Sequence, residues 1–69
     1  MATNALRQLP SVDSLLQQAV VVAWIESYGR ALVLEAVRAT LEDARQALLT
    51  GAPFAGEESL LQAIWRRLS

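Results

Sequence analysis

An apolar seam through the middle of the chain most constrains how this sequence can fold. The seam lies in residues 30–49 and steps by 3, 4, 3 and 4 residues through Leu34, Val37, Leu41, Ala44 and Leu48. This spacing places the five side chains on one face of an α-helix, which over 20 residues is about 30 Å long. Gly51 ends the helix and Pro53 prevents its continuation. We therefore predict one long helix against which the rest of the chain must pack.

The segments on either side of the seam predict shorter helices. In the stretch "LPSVDSLL", Ser11 is a good N-cap, which predicts a helix from residue 11 to about residue 19. Residues 20–28 are rich in β-branched side chains, but a lone strand would have no partner, so we prefer a short helix ended by Gly29. A last helix begins near Gly56, and its apolar side consists of Leu60, Leu61, Ile64, Trp65 and Leu68.

These segments together predict an all-α fold: a small bundle of about four helices, in which one long helix (about 30–49) is packed by shorter ones. Residues 1–10 are predicted to be a flexible N-terminal tail, and residues 11–69 a helical domain. The sequence ends in "IWRRLS", which contains no Gly or Pro to end the last helix. We therefore expect the domain to be a fragment of a larger protein. The longest apolar run, "AVVVAWI", is far shorter than the roughly 20 residues of a membrane span, and a cytoplasmic location fits the lack of cysteine.

The residue types exclude most catalytic chemistry within this chain. There is no His, Cys or Lys, so an imidazole base, a thiol nucleophile and a Schiff-base amine are all missing. The carboxylates of Glu35, Glu42 and Asp43 lie on the polar arc of the predicted long helix, a pattern typical of a solvated face. We expect no catalytic, cofactor-binding or metal-binding residue in the chain.

Arginine is the residue type that could still recognise a ligand. The net charge is −1, yet all six basic residues are Arg, whose guanidinium binds phosphate through two parallel hydrogen bonds. Arg38 and Arg45 alternate with Glu35 and Glu42 at helical spacing, which favours surface ion pairs over free phosphate contacts. The two arginines of the last turn can equally complement the helix dipole. The candidate phosphate contacts are, in order, Arg7, Arg38 and Arg45, followed by Arg30, Arg66 and Arg67.

The aromatic residues allow two interpretations. Trp24 and Trp65 could stack on unpaired bases, but a chain with 6% aromatic residues needs them for its interior, so we predict that both belong to the core. Phe54, in the turn "APFAG", is a further predicted core anchor.

Three ordered stretches of this chain resemble the N-terminal region of bacterial selenocysteine synthase, the L-seryl-tRNA(Sec) selenium transferase. They are "LRQLPSVDSLL", "YG" and "VRATLEDAR". The likeness covers roughly residues 6–49 and includes Leu9, Pro10, Asp13, Leu15, Leu16, Tyr28, Gly29, Arg38, Leu41, Ala44 and Arg45.

The resemblance implies a function that the residues alone do not. In that family a homo-oligomeric enzyme uses pyridoxal phosphate and selenophosphate to convert seryl-tRNA(Sec) to selenocysteinyl-tRNA(Sec), and a small helical N-terminal domain ahead of the catalytic core recognises the D-arm of tRNA(Sec). The implied partners are therefore this tRNA, the catalytic core of the same protein and further copies of it. The alternative is a helical protein-interaction or oligomerisation module with no nucleic-acid role, which buries Trp24 or Trp65 against a partner.

Overall fold

The computed structural model describes residues 9–69, which form four helices and no strand. The helices are α1 (Val12–Leu16), α2 (Ala19–Tyr28), α3 (Arg30–Leu49) and α4 (Glu57–Leu68). This confirms the predicted all-α bundle with one long helix packed by shorter ones. No helix within residues 9–69 combines the length and the apolar character that a membrane crossing requires. Most of the predicted tail, including Arg7, lies outside the described residues.

Ser11 begins the first helix as its sequence predicts. Its side-chain oxygen accepts a hydrogen bond from the backbone N–H of Ser14 at 3.0 Å, which satisfies one of the free donors of the first turn. The predicted length is wrong, because α1 ends at Leu16 and Gln18 takes an extended conformation with φ −65° and ψ 137°. The side chain of Gln18 donates a hydrogen bond to Glu57. This contact ties the break between α1 and α2 to the first turn of α4.

A single glycine separates the second and third helices. The helix predicted over residues 20–28 is present as α2 despite its β-branched residues, and it ends at Gly29 with φ 91° and ψ 149°. The backbone N–H of Gly29 donates to the carbonyl of Ile25 at 2.8 Å, and its own carbonyl accepts from the N–H of Val33 at 3.2 Å. Residues with a side chain rarely adopt this positive φ. The change of direction between α2 and α3 therefore depends on glycine.

The long helix ends where the sequence predicts. The N–H of Gly51 donates to the carbonyl of Leu48 at 3.1 Å, and the N–H of Ala52 donates to the carbonyl of Ala47 at 2.9 Å. These two bonds form a Schellman motif, which requires a positive φ at its central residue, and Gly51 has φ 96°. The motif turns the chain so that α4 packs back against α3.

The core lies around α3, which contacts each of the other three helices. Its fully buried side chains come from all four helices and are Leu15, Val21, Val33, Val37 and Ile64.

The buried face of α3 is rotated from the predicted seam. Of the five seam residues only Val37 is buried and the other four are half-buried, whereas Val33, Ala36 and Thr40 are buried. α3 contacts all three of the other helices, so its buried face is set by where those helices pack and not by the regular spacing of its own apolar residues. Thr40 brings a polar atom into this face, and its Oγ1 has no hydrogen-bond partner among residues 9–69.

Candidate nucleic-acid interface

Arg38 and Arg45 lie on the solvent-facing side of α3, and both are exposed. They are seven residues apart, so they project on nearly the same side of the helix, about two turns and 10.5 Å from each other. Glu35 and Glu42 lie beside them on the same exposed side. We call these four residues the arginine face.

Arg45 is engaged in the ion pair that its spacing predicts. Its Nη2 donates to Oε2 of Glu42 at 2.9 Å and its Nε donates to Oε1 at 3.3 Å, while Nε2 of Gln46 donates to Oε2 at 2.9 Å. The hydrogen bonds from Arg45 and then from Gln46 lower the pKa of Glu42 below its ordinary value of 4.5. The same contact raises the pKa of Arg45. The Arg45 guanidinium is therefore already hydrogen-bonded to a carboxylate.

Arg38 differs from Arg45, although the spacing of their acidic neighbours is alike. Within residues 9–69, no carboxylate oxygen lies within 4.0 Å of the Arg38 guanidinium. The predicted stripe of ion pairs is therefore right for Arg45 and wrong for Arg38. Arg38 is exposed and makes no ion pair in the described part of the chain, so the five donors of its guanidinium are available to a phosphate group.

The remaining candidate arginines lie on other parts of the bundle. Arg30 is the first residue of α3, and Arg66 is exposed in the last turn of α4. Arg67 donates a hydrogen bond to Asp43 and so joins α4 to α3. Arg7 lies outside the described residues. The described arginines therefore do not form one cluster, and Arg38 and Arg45 are the two that share a helix face.

A second exposed surface is aromatic and lies between α2 and α4. The rings of Trp24 and Trp65 stack with centroids 5.7 Å apart and planes 26° apart. Tyr28 meets Trp65 edge to face at 6.2 Å. Val20 and Leu61 line the same surface as the two tryptophans, along an open groove of about 350 Å³. We call these five residues the aromatic face.

The prediction that both tryptophans belong to the core is wrong for Trp65, which is 44% exposed. Trp24 is half-buried and packs against the core, as does Leu61. Trp65 is exposed because Ile64, one residue earlier in α4, takes the position that faces the interior. The spacing of Val20, Trp24 and Tyr28, each four residues from the next, could have identified this face, since such residues line one side of a helix.

A second groove, of about 280 Å³, separates α4 from the end of α3, and half-buried Phe54 lines it. Small side chains form much of its wall, with the Asp43–Arg67 pair at its edge. In the described part of the chain, no group of three or more His, Cys, Asp or Glu residues is placed to hold a metal ion. Pyridoxal phosphate does not fit the chain's residue types, since there is no lysine to bind its aldehyde.

The geometry defines a small all-α domain with one charged and one aromatic exposed face, and comparison with known proteins identifies its family. A family model described as "Selenocysteine synthase N terminal" matches residues 6–45. This region includes Arg7, Arg30, Arg38 and Arg45 but not Trp65. The chain belongs to this family.

Individual relatives carry the corresponding name. The L-seryl-tRNA(Sec) selenium transferase of Methylocella silvestris is 43% identical over 60 residues, which cover 87% of this chain and 13% of the relative. The enzyme of the same name from Rhizobium meliloti is 38% identical over 63 residues, covering 91% of this chain and 14% of the relative. The chain thus spans about one seventh of the length of these curated relatives. No solved structure matches it.

Proposed function

We propose that this chain is the tRNA(Sec)-recognition domain of an L-seryl-tRNA(Sec) selenium transferase. The complete enzyme would use pyridoxal phosphate, held by residues outside this chain, to convert seryl-tRNA(Sec) to selenocysteinyl-tRNA(Sec) with selenophosphate. Residues 11–69 would form the domain that contacts the D-arm of the tRNA in the cytoplasm. The observation that carries the proposal is the guanidinium of Arg38, which lies within the family region, exposed and without a carboxylate partner in residues 9–69.

The chemistry of structured RNA supports an arginine-based contact. An RNA double helix hides its base edges in a deep groove, so proteins recognise it through its shape, its phosphates and its 2′-hydroxyls. A rigid helix that presents guanidinium groups two turns apart can bind phosphates of such a helix. Phosphate contacts fix the position of a protein on the nucleic acid, whereas base contacts carry sequence specificity.

The arginines should contribute unequally. Arg38 can bind a phosphate without losing another contact, whereas Arg45 must first give up its hydrogen bonds to Glu42. Arg67 has a similar cost, because it must first give up its hydrogen bond to Asp43. We therefore rank Arg38 first among the described arginines.

The isolated domain should bind RNA weakly. Its net charge of −1 means that acidic side chains offset the arginines. Each phosphate contact makes the logarithm of the binding constant fall with log salt by only about 0.7–0.9, so a few contacts release few counterions. Useful affinity would then require several copies in a homo-oligomer, with the catalytic core holding the acceptor end of the same tRNA.

The test is a titration of fluorescently labelled tRNA(Sec) and tRNA(Ser) with the wild-type chain and its variants, followed by anisotropy at two salt concentrations. We expect tighter binding to tRNA(Sec) than to tRNA(Ser). Arg38→Ala should weaken binding to tRNA(Sec) roughly tenfold, since a hydrogen-bonded charged group contributes about 1.5 kcal/mol. Arg38→Lys should restore binding only in part, because lysine keeps the charge but lacks the planar fork.

Arg67→Ala is the matched control, because it removes the same charge from a guanidinium that is already bonded to a carboxylate, that of Asp43. It should change the affinity far less than Arg38→Ala does. Equal losses from the two variants would reject a specific contact at Arg38, and equal affinity for the two tRNAs would reject tRNA(Sec) recognition by this chain.

The exposed Trp65 favours the second candidate function, a helical protein-interaction or oligomerisation module. In that case the chain would associate through the aromatic face, with little dependence on salt, because apolar contacts dominate. Salt-insensitive self-association without any tRNA(Sec) preference would establish this alternative in place of the first proposal.

A further inference from the structure

The aromatic face is exposed, although its residues are ones that proteins usually bury. Val20 is 42% exposed, Tyr28 is 37% exposed and Trp65 is 44% exposed. Large aromatic side chains dominate the energetics of cores and interfaces, and an exposed apolar cluster rimmed by polar residues marks an interaction surface. The arginine-based contact proposed above makes no use of this face.

The charge beside the aromatic face argues against RNA as its ligand. Glu58 and Gln62 are the polar residues that line the groove, and no described arginine lines it. Proteins that stack bases on aromatic rings combine those rings with a positively charged path for the backbone. The Glu58 carboxylate would repel phosphates, whereas it would complement a basic side chain on a polypeptide.

The size of the face argues against a second copy of this chain. A fully buried aromatic side chain covers about 150–250 Å², so five partly exposed residues offer about 300 Å². A stable interface needs about 800 Å² on each partner. A face this small holds a partner only when a covalent tether raises the effective concentration of that partner to the millimolar range.

We propose that the aromatic face binds an apolar segment of the polypeptide that continues past this domain in the synthase, with a basic residue of that segment opposite Glu58. This inference rests on the proposed function only in taking the chain as one domain of a longer enzyme. Trp65 lies in the final turns of α4, which ends at Leu68. A chain that continues from α4 therefore starts within about 5 Å, along the helix axis, of the face it covers.

The relatives are much longer than this chain, and the proposed partner segment belongs to that additional length. This chain accounts for 13% of the Methylocella silvestris enzyme and 14% of the Rhizobium meliloti enzyme. Contact between such a segment and Trp65 would set the orientation of the domain, and with it the direction in which Arg38 points. The aromatic face would thus position the RNA-binding face without contacting RNA.

The test compares Trp65 in two settings by hydroxyl-radical footprinting, with the sites of oxidation assigned to single residues by tandem mass spectrometry. The first sample is the 69-residue chain. The second is a chimera in which this chain replaces the matching 60 residues of the Methylocella silvestris enzyme. A second chimera, built in the same way in the Rhizobium meliloti enzyme, provides the comparison if the first chimera does not fold. This comparison is made without RNA, so its outcome does not depend on the proposed tRNA recognition, and a parallel set of samples with added tRNA(Sec) tests RNA as the ligand.

We expect the oxidation rates of Trp65 and Tyr28 to fall at least threefold in the chimeras, while Leu49, which is 52% exposed elsewhere on the bundle, reacts equally in both settings. Glu58→Arg should reverse much of this protection in the chimeras and change nothing in the 69-residue chain. Equal oxidation of Trp65 in both settings would overturn the inference. Protection that appears only after tRNA is added, or that rises with the concentration of the 69-residue chain alone, would also overturn it, in favour of RNA or of a second copy.

Discussion

The arginine face and the aromatic face are both exposed, yet they are built in opposite ways. The arginine face consists of charged side chains on one helix, and its two arginines differ because Glu42 pairs with Arg45 while Arg38 has no carboxylate within 4.0 Å in residues 9–69. The aromatic face joins two helices through ring contacts between Trp24, Tyr28 and Trp65. The comparison shows that a single helix suffices to present a charged site, whereas the aromatic surface exists only when α2 and α4 are packed together.

The largest expected effect comes from the core on which both faces depend. Ile64 has no exposed surface and lies one residue before Trp65. Ile64→Ala should lower the free energy of unfolding by about 3 kcal/mol, since it removes buried methyl groups and leaves a cavity. Thermal unfolding followed by circular dichroism measures the change, with the exposed Leu49→Ala as the control, expected to stay within about 0.5 kcal/mol. A loss below about 1 kcal/mol for Ile64→Ala would contradict the packing of α4 described above.

The next prediction compares how much one residue of each face contributes to the free energy of unfolding. Trp65→Ala should cost about 1.5 kcal/mol, because it removes the stacking on Trp24 and the edge contact with Tyr28. Arg38→Ala should cost less than about 0.5 kcal/mol, since the exposed side chain makes no ion pair in the described residues. Urea unfolding of both variants tests the contrast. If Arg38→Ala proves as destabilising as Trp65→Ala, Arg38 is a structural residue and not a free ligand for phosphate.

The sequence predicts the helices better than it predicts their surfaces. The long helix, its stop at Gly51 and the N-cap at Ser11 follow from local spacing and capping, because the hydrogen bonds involved join residues close in the chain. The break at Gln18 could not be predicted in this way. It involves a contact with Glu57, 39 residues away, and local propensity contains no information about such a partner.

The candidate site shows the same limit. Spacing placed Arg38 and Arg45 together on one exposed side of α3, which the structure confirms, but it could not distinguish the paired arginine from the unpaired one. Both have a glutamate at helical spacing, and side-chain conformation decides which pair forms. Likewise, whether Trp65 faces the interior depends on how α4 is rotated against α3, a property of the packed bundle.

A smaller effect, and a gain in stability, should follow from a substitution at the buried Thr40. Thr40 is 3% exposed and its Oγ1 has no hydrogen-bond partner among residues 9–69. Thr40→Val replaces the hydroxyl with a methyl group of similar size, so it should raise the free energy of unfolding by about 1 kcal/mol. Thr40→Ser is the control, since it keeps the hydroxyl and removes the methyl, and it should be destabilising. A destabilised Thr40→Val variant would show that the hydroxyl has a partner in solution.

The smallest expected effect concerns the ion pair that distinguishes Arg45 from Arg38. Since Arg45 and Gln46 lower the pKa of Glu42 in the folded chain, this carboxylate stabilises the fold above its ordinary pKa of 4.5, and the contribution disappears as the pH falls through the lowered value. Glu42→Gln should therefore make unfolding slightly less dependent on pH between about 6 and 3, a difference read from melting temperatures of the two proteins in parallel. The effect is small because both side chains are solvated.

The same substitution sharpens the contrast between the two arginines. Without the Glu42 carboxylate, the Arg45 guanidinium is freed for phosphate, so Glu42→Gln should tighten binding of tRNA(Sec) roughly twofold, in line with the strength of a surface helix pair. The gain should vanish in the Glu42→Gln, Arg45→Ala double variant and persist in Glu42→Gln, Arg38→Ala. A gain that survives the loss of Arg45 would show that Glu42 acts only through general charge repulsion, and that Arg38 alone forms the phosphate contact on this helix.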